Sequence, residues 1–83
     1  MYGKERGRPR KFINISREIQ EFIRVEQLTD GEALPSERRL AKLFDCTQVT
    51  IRRALKYLED EKVIYNIPYK GRFVGIRKNE GRE

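Results

Sequence analysis

The chain contains no histidine and a single cysteine in 83 residues. Without histidine it lacks the commonest general base and metal ligand at neutral pH. With Cys46 alone, neither a disulfide framework nor a thiolate metal cluster can form within it; the residue falls in a turn, where a small buried side chain fits. There is no phosphate-cradling glycine loop and no internal repeat. No apolar run approaches a signal-peptide core or a membrane span, so a cytoplasmic protein without a membrane partner is expected. A chain this short has room for one small domain, burying only roughly 60% of its unfolded surface and enclosing no useful substrate cavity. The carboxylates Glu59-Asp60-Glu61 read as a solvated helix end. An enzyme is therefore not expected, and neither is a cofactor.

What is present is charge, and it is sorted. Charged residues make up 39% of the chain and the net charge is +6. Residues 1–12 carry five basic residues and one acid, and residues 38–56 carry six basic residues, whereas residues 18–32 carry five acids and one basic residue. A basic end and a basic strip set against an acidic back suit an oriented polyanion partner.

The apolar residues are periodic. Residues 1–12, MYGKERGRPRKF, read as a flexible basic arm. Ile15, Ile19, Phe22 and Ile23 then fall on one helical face, with Asn14 or Ser16 available as a cap and an end near Glu26, before a break at Thr29-Asp30-Gly31. Glu32-Ala33-Leu34 is expected to be extended, because Pro35 disfavours a helical residue before it. Ser36 caps a second helix whose inner face is Leu40, Ala41 and Phe44. Asp45 tolerates the left-handed conformation in the following turn. Thr47 caps a third helix running to about Asp60, with Ile51, Ala54, Leu55 and Leu58 as its apolar stripe. Val63–Ile67 is β-branched and aromatic, Pro68–Gly71 is turn chemistry, and Arg72–Gly75 is a short return strand. Residues 76–83 read as a polar tail or the start of a linker.

At 100° per residue, the side of the third helix opposite its stripe holds Val49, Arg52, Arg53 and Lys56, with Tyr57 beside them. Its first turn and a half presents Gln48, Val49, Arg52 and Arg53 outward. Two helices joined by a three-residue break, the second basic on its outer face, form a helix-turn-helix. With the hairpin as a wing, residues 13–75 are expected to make an α+β, mainly α, winged helix-turn-helix of three helices and a small β-hairpin.

At this point the sequence resembles the DNA-binding domain of the GntR family of bacterial transcription regulators. The matching residues are Leu34-Pro35-Ser36-Glu37-Arg38, then Leu40-Ala41, Phe44, Thr47, Thr50-Ile51-Arg52, Ala54-Leu55, Leu58, Ile64, Gly71 and Phe73-Val74. The resemblance implies sequence-specific binding of double-stranded DNA, in this family most often by a repressor. It implies DNA contact at Arg38, at Thr47 and Thr50 at the front of the recognition helix, at Arg52, and at the wing through Lys70, Gly71 and Arg72, the wing entering the neighbouring minor groove. Two positions depart from the family pattern: Gln48 stands where arginine is usual, and Tyr69 replaces the first glycine of the wing turn. Family members carry a larger C-terminal domain for ligand binding and dimerisation. The chain is thus expected to be an excised N-terminal domain, or else a naturally short protein, with no ligand site in this segment. An intact relative would be a dimer reading a palindromic operator.

The chemistry of the outward residues agrees with a helix seated in the major groove. Gln48 can pair bidentately with adenine, Val49 can meet a thymine methyl, and Arg52 can fork onto guanine O6 and N7. The helix start at Thr47 aims amides and a positive dipole end at a phosphate. Arg53 and Lys56, further along, suit backbone contact. In the arm, Arg6-Gly7-Arg8-Pro9-Arg10-Lys11 resembles an AT-hook, whose Arg6, Arg8 and Arg10 would lie along a narrow A·T minor groove. The alternatives are a plasmid or phage replication or copy-control protein, which also uses winged helices, and a winged-helix module for protein contacts, which would want an apolar outer face where this one is basic.

Overall fold

The computed structural model describes residues 11–76. Three helices precede a hairpin: α1 (Phe12–Val25), α2 (Glu37–Phe44), α3 (Gln48–Asp60), β1 (Ile64–Ile67) and β2 (Gly71–Val74). The core gathers Ile15 and Ile19 of α1, Leu40, Ala41 and Phe44 of α2, and Ile51, Ala54, Leu55 and Leu58 of α3, closed by Leu34, Ile64 and Val74. The apolar stripes expected for α2 and α3 are thus the buried ones. On α1, Ile15 and Ile19 are fully buried, and Phe22 lies at their edge with its ring edge-on to Phe44 at 6.1 Å.

The second and third helices begin as their caps dictate. The Ser36 hydroxyl accepts from the Arg39 amide at 3.1 Å, and Thr47 Oγ1 accepts from the Thr50 amide at 3.2 Å. Each bond satisfies one of the orphan donors of a first turn. The first helix differs from expectation. It starts at Phe12, three residues before Ile15, so Phe12 is helical rather than part of the arm. Lys11 occupies the cap position with no side-chain bond, and neither Asn14 nor Ser16 caps. Ser16 lies inside the helix, buried, its hydroxyl donating to the Ile13 carbonyl at 2.6 Å. The extra turn brings Phe12 edge-on to Tyr57 of α3 at 6.0 Å. Burial of that aromatic pair outweighs a favourable cap one turn later.

The helices share a way of stopping. Asp45 closes α2 in the left-handed region (φ 58°), as its side chain predicts. Gln27 (φ 57°) and Lys62 (φ 66°) do the same after α1 and α3. There the amides of Leu28 and Val63 donate back to Ile23 and Leu58. This is the Schellman arrangement, built without its usual glycine.

Strands β1 and β2 pair antiparallel from Ile64 opposite Val74 to Ile67 opposite Gly71. They are displaced slightly from expectation. Val63 closes α3 with its amide and so falls before β1, while Gly71 is already in the ladder and Gly75 beyond it. A third segment joins the sheet. Ala33 bridges Phe73, the Leu34 amide donates to the Arg72 carbonyl at 2.8 Å, and the Val74 amide donates to the Glu32 carbonyl at 2.9 Å. The extended Glu32-Ala33-Leu34 stretch is therefore the outer edge of the wing sheet, tying the α1–α2 connection to the far end of the chain.

Phe44 has no solvent exposure and is touched by α1. Phe44→Ala is expected to lower unfolding free energy by about 3–5 kcal/mol. Urea denaturation should show this as a reduced midpoint; a loss below about 1 kcal/mol would contradict the packing described.

Candidate nucleic-acid interface

The outer face of the helix-turn-helix is built on the two capped starts. Ser36 turns the chain so that Glu37 and Arg38 open α2, and Thr47 so that Gln48 and Val49 open α3. Thr47 Oγ1 and Thr50 Oγ1 lie 3.1 Å apart, locking the first turn of α3. With Ile51, Ala54, Leu55 and Leu58 facing the core, Gln48, Val49, Arg52, Arg53 and Lys56 are all exposed. Val49 is 59% exposed, an apolar side chain that the fold itself leaves in solvent.

Two depressions flank this helix start. An open groove of about 660 Å³ is lined by Phe12, Val49, Arg52, Arg53, Lys56, Tyr57, Asp60 and Arg72. It brings four of the expected α3 residues to the base of the wing. A second, of about 430 Å³, holds Arg38 and Gln48 with Lys42, Ala41, Asp45 and Cys46. Lys70 and Gly71 stand apart at the wing tip and line neither. Arg6, Arg8 and Arg10 of the AT-hook-like segment lie outside the described residues, as do residues 77–83; its last residue, Lys11, is at the cap position of α1.

The wing tip is a tight turn in which the Lys70 amide donates to the Ile67 carbonyl at 2.9 Å. Pro68 leads it, and Tyr69 occupies the next position at φ 68°, where glycine or asparagine is usual. The Tyr69 side chain is fully exposed, so no packing within the described domain offsets the backbone cost. At the base, Tyr65 and Phe73 stack across the strands with centroids 5.5 Å apart.

A chain of alternating charges crosses the face, with no local sign in the sequence. Arg52 donates through Nε and Nη2 to Oε1 of Glu37, at 3.2 and 3.0 Å. The other oxygen of Glu37 accepts from Arg72 Nη1 at 2.9 Å, and Arg72 Nε donates to Glu59 at 2.7 Å. Arg72 is expected at the wing as a DNA contact, but its side chain turns back from the tip and is 22% exposed. Glu37 and Glu59 are what sequence reasoning missed. Glu37 reads locally as an ordinary acid at a helix start, and its partners lie 15 and 35 residues away. Further along α3, Lys56 pairs with Asp60 at 3.6 Å.

The Glu37 carboxyl is held below its ordinary range, first by the Arg52 hydrogen bond; partial burial opposes this and Arg72 reinforces it. The Arg52 guanidinium is raised in turn by Glu37. Among the described residues no histidine, cysteine or carboxylate group could hold a metal, and no helix is long and apolar enough to cross a membrane.

Three helices, a three-residue turn between the second and third, and an antiparallel hairpin define a winged helix-turn-helix. Residues 13–74 match the model of the bacterial regulatory proteins of the gntR family. The chain belongs to that family. It is 35% identical over 75 residues to the arabinose metabolism transcriptional repressor of Geobacillus stearothermophilus, covering 90% of this chain and 20% of that protein. It is 32% identical over 69 residues to the transcriptional repressor NagR of Bacillus subtilis, covering 83% and 28%. Among solved structures, the possible transcriptional regulator YydK of Bacillus subtilis superposes with a TM-score of 0.77 at 32% identity, over 86% of this chain and 32% of that one. The AraR DNA-binding domain in complex with operator ORE1 does so with a TM-score of 0.72 at 25% identity, over 82% and 83%. The chain spans between 14% and 30% of the length of the first curated relatives it matches.

Two stability outcomes follow from this geometry. A carboxyl depressed on folding stabilises above its unfolded pKa, and that contribution is lost as pH falls through the folded value. The stability difference between the parent and Glu37→Gln should therefore be full above roughly pH 5 and shrink as pH falls through roughly 4 and below. Thermal melts across that range check it; a difference that grew on acidification would reverse the assignment. Tyr69→Gly should raise stability by about 0.5–1 kcal/mol, relief of the left-handed strain exceeding the added chain entropy. Chemical denaturation of the two proteins measures this.

Proposed function

We propose that this domain reads double-stranded DNA as part of a bacterial transcription repressor, with α3 in the major groove and the wing at the adjacent minor groove. The observation that carries the reading is the exposed front of α3. Gln48, Val49 and Arg52 stand out of the fold together on a rigid, doubly capped element. Groove-reading helices contact base edges with their N-terminal residues, and these three types match adenine, a thymine methyl and guanine. Thr47, Thr50 and the helix start offer hydroxyls and amides to a phosphate. Arg38, Arg53 and Lys56 suit the backbone on either side, a role that positions without specifying.

At the wing, Lys70 and Gly71 meet the minor groove, with Tyr69 projecting beside them. Arg72 acts from the base of the wing. Gln48 in place of the family's usual arginine shifts preference towards A·T pairs. The complex of the AraR DNA-binding domain with an operator supports the reading by likeness. In a longer regulator, dimerisation would pair two copies on a palindrome with half-sites about 34–36 Å apart.

Selection from a randomised duplex library tests the reading directly. A bound consensus containing A·T pairs beside a guanine is expected; recovery of G·C-only cores would remove the role given to Gln48 and Val49. On the selected duplex, Arg52→Ala should cost about 1–3 kcal/mol and relax preference at one base pair. An equal loss on all sequences would reduce Arg52 to a phosphate contact.

A further inference from the structure

The acidic residue at the centre of a basic face is the unexpected element of this interface. Glu37 opens α2, yet it accepts from α3 and from β2 at once. Resting on the DNA-reading function proposed above, we propose that Glu37 is a positioning residue that makes Arg52 a reader of one base pair, by gripping the inner edge of its guanidinium and leaving the outer edge free.

An arginine side chain offers five N–H donors in a planar fork. Two of them, one on Nε and one on Nη2, are spent on Glu37. Three donors remain, two on Nη1 and the second on Nη2, and one from each nitrogen forms the parallel pair at the outer edge of the exposed guanidinium. That pair is what a bidentate contact with guanine O6 and N7 requires. The grip is itself held. Arg72 takes the second carboxylate oxygen, and Glu59 takes Arg72. Glu37 is 21% exposed at its side chain while Arg52 is 58% exposed, so the anchor sits in the surface and the reader stands out of it. The same chain of charges joins α2, α3 and the wing strand, registering the recognition helix against the wing.

A carboxylate at this place works against affinity. It adds negative charge on the side that meets phosphates, where binding strength comes from cations. An unheld arginine could swing to the backbone, gaining affinity that carries no sequence information. Glu37 thus trades general attraction for discrimination, and its removal changes the two quantities in opposite directions. A residue needed only for folding would lower both together.

The test uses the whole 83-residue chain, the best duplex that the parent selects from a randomised pool, the same duplex with the Arg52-dependent base pair replaced, and a scrambled duplex. Glu37→Ala is expected to reduce the preference for the intact over the replaced pair by about tenfold. Affinity for the scrambled duplex should rise. Glu37→Gln, which keeps the side-chain volume, should act in the same direction. In an Arg52→Ala background, Glu37→Ala should change the preference no further. Without DNA, the Arg52 Nε–H should exchange slowly with solvent in the parent and fast in Glu37→Gln. Unchanged discrimination in both variants overturns the proposal, as does a parallel fall in all three affinities accompanied by a lower melting temperature. A parent chain that selects no sequence overturns the DNA-reading function and this proposal with it; a selecting parent whose Glu37 variants discriminate equally well overturns only the role of Glu37.

Discussion

The four side chains Ile51, Ala54, Leu55 and Leu58 set the rotation of α3 about its own axis, and every property of the outer surface depends on that rotation. Each is excluded from water, and together they form one stripe at helical spacing. Turning the helix by one residue, about 100°, would expose part of the stripe and bury an arginine, which apolar burial and charge desolvation both oppose. The exposure of Gln48, Val49, Arg52 and Arg53 is thus a consequence of what lies beneath them. Translation along the axis is fixed separately by the Thr47 cap and by the left-handed Asp45 before it.

On this frame the charged groups are arranged in two ways. Arg38 and Arg53 project from the outer surface at the ends of flexible stems. Arg52 and Arg72 instead share a carboxylate, which restricts their freedom at a net charge far lower than the strip suggests. A positive surface of the first kind attracts a polyanion generally, and one of the second kind gives direction to a single donor pair. Both occur within two turns of one helix, and the acidic partner comes from a neighbouring helix and not from α3 itself.

The parts of this molecule that could be read from sequence are those whose cause is local. Ser36, Asp45 and Thr47 act on backbone groups within three residues, and the stripes of α2 and α3 repeat within a turn. The beginning of α1 could not be read so, because Phe12 is helical on account of Tyr57, which lies 45 positions later. The endings at Gln27 and Lys62 were also silent, since neither residue type marks a left-handed position as glycine would. The family resemblance supplied Arg52, but its partner Glu37 needed the fold, because nothing in a local window joins residues 37, 52, 59 and 72. The inward turn of Arg72 was hidden for the same reason: a charge in the wing is visible in sequence, and the direction of its side chain is not.

The docking of Glu32 and Leu34 along β2 has a consequence for stability. A hairpin of two short strands is barely stable by itself in water, but here its outer edge is supplied by residues some forty positions earlier in the chain. The sheet therefore completes only with the connection between the first two helices in place, which ties the persistence of the wing to that of the core. For the base of β2 to leave the sheet at Arg72 and Val74, it must release the stretch that leads into α2, so that part of the wing is coupled to the helical body.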